Sequence, residues 1–150
     1  MKQKNTKGEE GEQRVAKAIA ALGYNVLYIG GAVKYKIDGS RFCTIDLLPY
    51  GKGCSFFVQV KHKEPRVYYP DTGLELFRWK NLIWHQKEAG NPVLLLFTDS
   101  SKKIYGDWVN RLSRCISNNG SVYNKQNGQQ MIYFLLAKLR TLEEILTHKL

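Results

Sequence analysis

The sequence predicts an α/β fold of the α+β kind, in which helices flank a mixed sheet. Three observations carry that expectation. Helix signals recur in four segments, and three of these open on a Thr-x-x-Glu pattern. Strand-like stretches lie between them, two of which face each other across the turn-rich Pro49–Gly53. Val93–Asp99 is an almost unbroken apolar run, the pattern of a strand covered on both faces.

The elements follow in order. Thr6 and Glu9 fit a capping box, in which each side chain satisfies a backbone N–H of the other. Val15, Ala16, Ile19 and Leu22 continue one helical face, and Gly23 ends it. Val26–Ile29 is a short strand before Gly30-Gly31. Arg41–Leu48 and Ser55–Lys63 are expected to pair as a hairpin through Pro49-Tyr50-Gly51-Lys52-Gly53. Pro65 and Pro70 bracket a loop. A second helix is expected from Asp71 or Thr72, with Thr72 and Glu75 as its capping box, to Ala89, where Gly90 and Pro92 close it. After Val93–Asp99, a third helix carries Trp108, Val109, Leu112, Cys115 and Ile116 on one stripe and ends near Asn118-Asn119-Gly120. A polar hairpin around Asn124–Gln130 leads into the strand Met131–Ala137. The last helix starts at Thr141, with Glu144 completing its capping box. Residues 1–150 are expected to form a single domain ordered α-β-β-β-α-β-α-β-β-α.

Composition narrows the function. Hydrophobic residues at 43% and charged residues at 24% exclude a disordered tail, a collagen-like chain and a disulfide-stapled miniprotein. Twenty-three Lys and Arg against thirteen Asp and Glu give a net charge of +10, spread over both halves of the chain, so a basic tail is excluded. Such a domain points to a polyanionic partner, nucleic acid first. No apolar run approaches the roughly 20 residues of a membrane span, and the polar start Met1–Asn5 shows no signal peptide. Cys43, Cys54 and Cys115 are odd in number and lack Cys-x-x-Cys spacing. They read as reduced, mostly buried thiols of a cytoplasmic protein.

Four polar residues do not fit a core. In the strand Ser55–Lys63, alternation puts Phe57, Gln59, Lys61 and Lys63 on one face and Phe56, Val58 and Val60 on the other. Asp46 lies among Ile45, Leu47 and Leu48 in the partner strand, where Asp is rare. Glu12 continues the apolar stripe of the first helix, so its carboxylate is expected to face the sheet. Two carboxylates, an amide oxygen and a lysine can share one site around a hard divalent cation. Mg²⁺ takes oxygen ligands and needs only one or two protein carboxylates, since it keeps several waters. The lysine would position or help deprotonate an attacking water and offset charge developing at phosphorus.

Asp46, followed after a turn by Gln59-Val60-Lys61, resembles the motif of the PD-(D/E)XK nuclease superfamily, in a Gln-x-Lys variant. Lys7-Gly8-Glu9-Glu10-Gly11-Glu12 resembles the Lys-Gly-x-x-x-Glu helix start of its Holliday-junction resolvases. The resemblance covers about residues 6–99 and implies a restriction-endonuclease-like αβββαβ core, leaving about 100–150 as a C-terminal extension of α-β-β-α elements. It implies metal-dependent hydrolysis of DNA, with Mg²⁺ as cofactor and Mn²⁺ able to replace it. By that resemblance Asp46 is the central metal ligand, Gln59 supplies a side-chain oxygen and the Val60 carbonyl adds another. Lys61 is then the catalytic lysine, and Glu12 an outer or second-metal ligand. Two positions depart from the pattern. Ile45 replaces a proline that contributes no ligand, and Gln59 replaces an acid, whose neutral amide binds Mg²⁺ more weakly.

The resulting expectation is a structure-selective endonuclease on branched DNA, acting as a homodimer because one small domain offers one site. A nicking, repair or restriction-type nuclease on duplex DNA is a second nuclease reading. A non-catalytic DNA-binding protein with a decayed metal site is the alternative from another class, and RNA is a lesser substrate. Lys34, Lys36, Arg41, Lys63, Arg66, Arg78 and Lys80 flank the site in sequence and are candidates for phosphate contact, with Tyr68 and Tyr69 for stacking. Plainer readings stand beside these. Lys61 and Lys63 suit an edge strand guarded by lysines, and Asp46 suits a structural ion pair. His62, His85 and His148 show no metal-ligand spacing and are expected to be partly exposed.

Overall fold

The computed structural model describes residues 7–30, 34–35, 39, 41–42, 45–116, 122–124 and 130–147. Thr6, Lys36, Cys43 and His148 lie outside them, and so do the first capping box and most of the loop expected around Asn124–Gln130.

Helix α1 (Lys7–Ala21) buries Val15, Ala16 and Ile19, as its apolar spacing requires, and turns at Gly23 with a φ of +100°. Strand β1 (Asn25–Tyr28) follows. The expected strand Arg41–Leu48 is split: Lys34–Tyr35 (β2) pairs with Arg41–Phe42 (β3) as a separate two-stranded ribbon, while β4 (Leu47–Gly51) belongs to the main sheet. The expected hairpin forms, with β5 (Cys54–Ser55) and β6 (Phe57–His62) following a turn at Lys52-Gly53. Both turn residues have positive φ, +53° and +77°.

The largest departure comes next. Asp71–Glu75 is a buried strand, β7, and helix α2 (Leu76–Ala89) starts only after it. The Thr72–Glu75 capping box therefore does not exist. Glu75 precedes the helix with extended backbone and makes no capping hydrogen bond. Long-range pairing overrides the local signal, because β11 (Gln130–Leu135) zips antiparallel along β7, from Met131 opposite Glu75 to Leu135 opposite Asp71. Gly73 permits the approach, since a Cβ there would lie 2.1 Å from the Ile132 carbonyl oxygen.

Strand β8 (Val93–Thr98) is buried throughout, as its unbroken apolar run predicts. The third helix is corrected as well. Ile104–Trp108 is strand β9, and only Val109–Leu112 is helical (α3). Strand β10 (Val122–Asn124) pairs with β11. After a 3-10 turn, β12 (Arg140–Thr141) leads into α4 (Leu142–Thr147), whose Thr141–Glu144 capping box is present: the Glu144 N–H donates to Thr141 Oγ1 at 3.3 Å and the Thr141 N–H to Glu144 Oε1 at 3.2 Å.

The main sheet runs β1-β4-β6-β8-β9-β12, with β5 paired to β4; β6 and β8 are parallel and their other neighbours antiparallel. One face packs Val15 and Ile19 of α1 and Leu142 and Ile145 of α4 over Val58, Leu94 and Leu96. The other packs Trp79, Leu82, Val109 and Leu112, with Leu74 of β7 and Phe134 of β11, over Leu95 and Phe97. The C-terminal elements are thus woven into the core: β9 and β12 widen the sheet, and β11 recruits β7. Among the described residues, no helix is long and apolar enough to cross a membrane. Of the cysteines, Cys115 is buried but Cys54 is exposed, and both are free thiols.

Candidate metal centre and nucleic-acid face

Strand β6 is interior, between β4 and β8, so Lys61 is not the guard of a sheet edge. Just before β4, Asp46 docks on it in an unusual way. Its N–H donates to the Val58 carbonyl at 3.0 Å, and its carboxylate Oδ2 accepts the Val60 N–H at 2.8 Å, where a strand would offer a carbonyl. Its own carbonyl accepts the N–H groups of Ile29 and Gly30 at 2.9 and 3.1 Å. The backbone on both sides therefore fixes Asp46 in place.

Glu12 arrives from the other direction. A Cβ built on Gly30 would lie 3.8 Å from both Asp46 Oδ1 and Glu12 Oε2, so the two carboxylates flank one point. Gly11 makes this possible: α1 sits so close to the sheet that a Cβ on Gly11 would meet Thr98 Oγ1 at 2.8 Å and both His62 and Val60 at 3.8 Å. The Tyr28 hydroxyl responds to this surrounding, since burial pushes its pKa up and the Glu12 carboxylate adds to the rise.

Gln59 is 4% exposed, and its Oε1 is buried and accepts no hydrogen bond; Nε2 has only a long contact of 3.4 Å to the Val60 carbonyl. An unsatisfied buried amide oxygen costs about 1–3 kcal/mol, which makes it an oxygen ligand in search of a partner. That fits a hard cation, as does the neighbouring Val60 carbonyl. Lys61, on the same face, donates from Nζ to Glu75 Oε1 at 2.8 Å, and Arg78 Nε donates to Glu75 Oε2 at 2.7 Å. Burial would raise the Glu75 pKa, but the hydrogen bonds and charge of Lys61 and the bond from Arg78 outweigh it and hold the carboxyl at about 2.

Glu75 escaped the sequence reading because its spacing from Thr72 mimics a cap; only the long-range β7–β11 pairing brings it to Lys61. Among the described residues, no three His, Cys, Asp or Glu side chains form a group that could hold a metal ion. His62 is half-buried, with Nδ1 3.1 Å from Thr98 Oγ1; His85, expected to be partly exposed, is buried between Phe57 and Trp84.

The basic candidates fall into three groups. Lys34 and Arg41 lie in the small β2–β3 ribbon, and Lys36 is outside the described residues. Arg66 and Arg78 are engaged by carboxylates: Arg66 grips buried Asp71 with two nitrogens while its guanidinium lies 3.8 Å over Tyr133 and 4.3 Å over Tyr69, and Arg78 holds Glu75. Lys63 lies over Tyr133, and Lys80 is exposed on α2. Beyond Arg66, Val67 and Tyr68 project from the loop at 90% and 92% exposure.

No protein-family model matches the chain, and comparison with characterised proteins by sequence finds no match. Comparison with solved structures finds Archaeoglobus fulgidus Hjc, a Holliday junction resolvase from an archaeal hyperthermophile, at a TM-score of 0.64 and 9% identity, covering 97% of this chain and 99% of that one. At that identity the likeness is one of fold: the chain has a mixed α/β architecture with the restriction-endonuclease-like core topology of that resolvase.

Proposed function

We propose that this chain is a DNA-binding protein on a resolvase-type nuclease scaffold, holding DNA against the face that carries Asp46, Gln59 and Lys61. The observation that supports it best is that Asp46, with Glu12 reaching the same point beside Gly30, docks on the strand that carries Gln59 and Lys61, in a fold similar to that of a resolvase. The net charge of +10 suits a phosphate backbone. Binding without cleavage is favoured by two features. An amide replaces the acid at position 59, and no three-acid metal group is assembled among the described residues.

A second reading, Mg²⁺- or Mn²⁺-dependent cleavage, is favoured by the buried Gln59 oxygen that accepts no hydrogen bond. Asp46, Glu12, Gln59 Oε1 and the Val60 carbonyl would hold the cation, which when bound supplies positive charge at the phosphate and an acidified water. Lys61 would then orient the water and steady charge on the phosphate. A water oxygen bonds to phosphorus, one P–O ester bond breaks, the leaving oxygen takes one proton and solvent the other. DNA shape and backbone would guide recognition, and paired cuts would use a homodimer.

Labelled four-way junction, linear duplex, single-stranded DNA and RNA, each incubated with Mg²⁺, Mn²⁺ or EDTA at fixed salt, test both readings. Tight DNA binding without cutting, insensitive to Asp46→Ala, supports the binding protein. Cutting that Asp46→Ala and Lys61→Ala both abolish supports the nuclease. Failure to bind any DNA at physiological salt rejects the proposal.

A further inference from the structure

We propose that the loop between β6 and β7 carries a stacking tip, in which the Tyr68 ring, with Val67 beside it, packs on a DNA base that has lost its stacking neighbour, as at a branch point. The inference deepens the DNA-binding reading and rests on it. Val67 and Tyr68 are adjacent, and at 90% and 92% exposure neither serves the core. The tip stands on a stiff base. Arg66 donates its backbone N–H to the Asp71 carbonyl at 3.0 Å and two guanidinium nitrogens to the buried Asp71 carboxylate. The Asp71 N–H donates to the Tyr69 carbonyl at 2.8 Å, and the Leu136 N–H to the Pro70 carbonyl at 2.9 Å. Pro65 and Pro70 fix φ at each end. A loop closed in this way has already given up much of the freedom that binding would otherwise cost. Of the two tyrosines expected to stack, Tyr69 is covered by the Arg66 guanidinium at 4.3 Å, so Tyr68 is the one whose ring the loop presents.

Size and charge select the occupant. An aromatic side chain offers about 150–250 Å², so Val67 and Tyr68 together present well under the roughly 800 Å² per partner of a stable protein interface. One tyrosine ring matches one nucleobase, and every base has a face on which it can stack. The surroundings are basic: five Lys and Arg stand against three acids between positions 61 and 80. Lys63 and Arg66 both lie over the Tyr133 ring, which places positive charge at the foot of the loop for the phosphate beside a stacked base. A base inside an intact duplex is already covered on both faces. The tip therefore favours DNA with a break in its stack.

The test is a fluorescence titration of the full chain at fixed salt, with EDTA present to prevent cutting. Two DNA probes are used: a flush duplex, and the same duplex carrying one unpaired 2-aminopurine, whose emission falls when it stacks. Wild type, Tyr68→Phe and Tyr68→Ala are compared, with a thermal melt of each. Wild type is expected to bind the bulged probe about tenfold more tightly than the flush one and to quench it. Tyr68→Phe, which keeps the ring, is expected to retain both properties. Tyr68→Ala is expected to melt with the wild type, to lose the quench, and to lose about tenfold in affinity for the bulged probe with a smaller loss on the flush one. A quench undiminished in Tyr68→Ala, or equal losses on both probes, overturns the inference and leaves DNA binding standing. So does a wild type that binds both probes without quenching. A wild type that binds neither probe overturns both readings.

Discussion

The Val60 amide donates to Asp46 Oδ2 at 2.8 Å, so a carboxylate forms a rung of the ladder beside the strand that carries Gln59 and Lys61. One oxygen therefore serves the fold, while the other faces the point beside Gly30 that Glu12 also reaches. The two roles separate by substitution. Asp46→Asn keeps an oxygen for Val60 and is expected to cost less than about 1 kcal/mol, whereas Asp46→Ala strands a buried N–H and costs about 1–3 kcal/mol. Urea melts measure the difference. On the cleavage reading both variants lose Mn²⁺ binding, and an Asp46→Asn protein that retains it would show that the charge is not used.

Glu75 makes stability depend on pH in a defined window. Its folded-state pKa of about 2 lies below the ordinary 4.5, held down by Lys61 and Arg78. The ionised carboxylate thus stabilises the fold above about pH 4.5, by on the order of 3 kcal/mol, and that contribution fades as pH falls toward 2. Wild type is expected to exceed Glu75→Gln in stability at pH 7, with the gap shrinking to less than half by pH 3 and closing only below about pH 2. A gap independent of pH in denaturant titrations would remove Glu75 as its source.

Gly106 sets the spacing of β8 and β9. A Cβ there would lie 2.0 Å from the Leu95 carbonyl oxygen, closer than any contact allows, and the obstacle is backbone that cannot rotate away. Gly106→Ala is expected to cost about 3 kcal/mol or more, beyond the usual range for overpacking by one methyl. The variant's thermal melt checks this, and a shift of less than a few degrees would mean that the strands part without penalty.

The same strand shows where local pattern stops being informative. Asp46, Gln59, Lys61 and Glu12 were legible because each breaks an apolar pattern of period two or 3.6 that its own neighbours establish. Ile104–Trp108 was not. Gly106 and Asp107 both disfavour strands, and Trp108, Val109, Leu112 and Cys115 do recur at helical spacing. Asp107 is tolerated because Arg140, from a strand near the chain's end, grips it at 2.7 and 2.9 Å. Glu75 was hidden in the same way. Its neighbours spell a helix cap, and its partners come from β6 and from the pairing of β7 with distant β11.

Gly11 links the fold to the site most directly. A methyl at this position would press on the buried Thr98 Oγ1 at 2.8 Å and lift α1 from the sheet, carrying Glu12 away from Asp46. In an exposed helix Gly→Ala is favourable by about 1 kcal/mol; here the clash reverses the sign, and a loss of about 1–3 kcal/mol is expected. On the cleavage reading Mn²⁺ binding weakens with it. Thr98→Ala removes the obstructing hydroxyl, so Gly11→Ala/Thr98→Ala is expected to recover Mn²⁺ binding, although His62 loses its hydrogen-bond partner. Recovery in calorimetric titrations would tie Glu12 to the cation through the seating of α1. A Gly11→Ala protein with undiminished Mn²⁺ affinity would take Glu12 out of the ligand set.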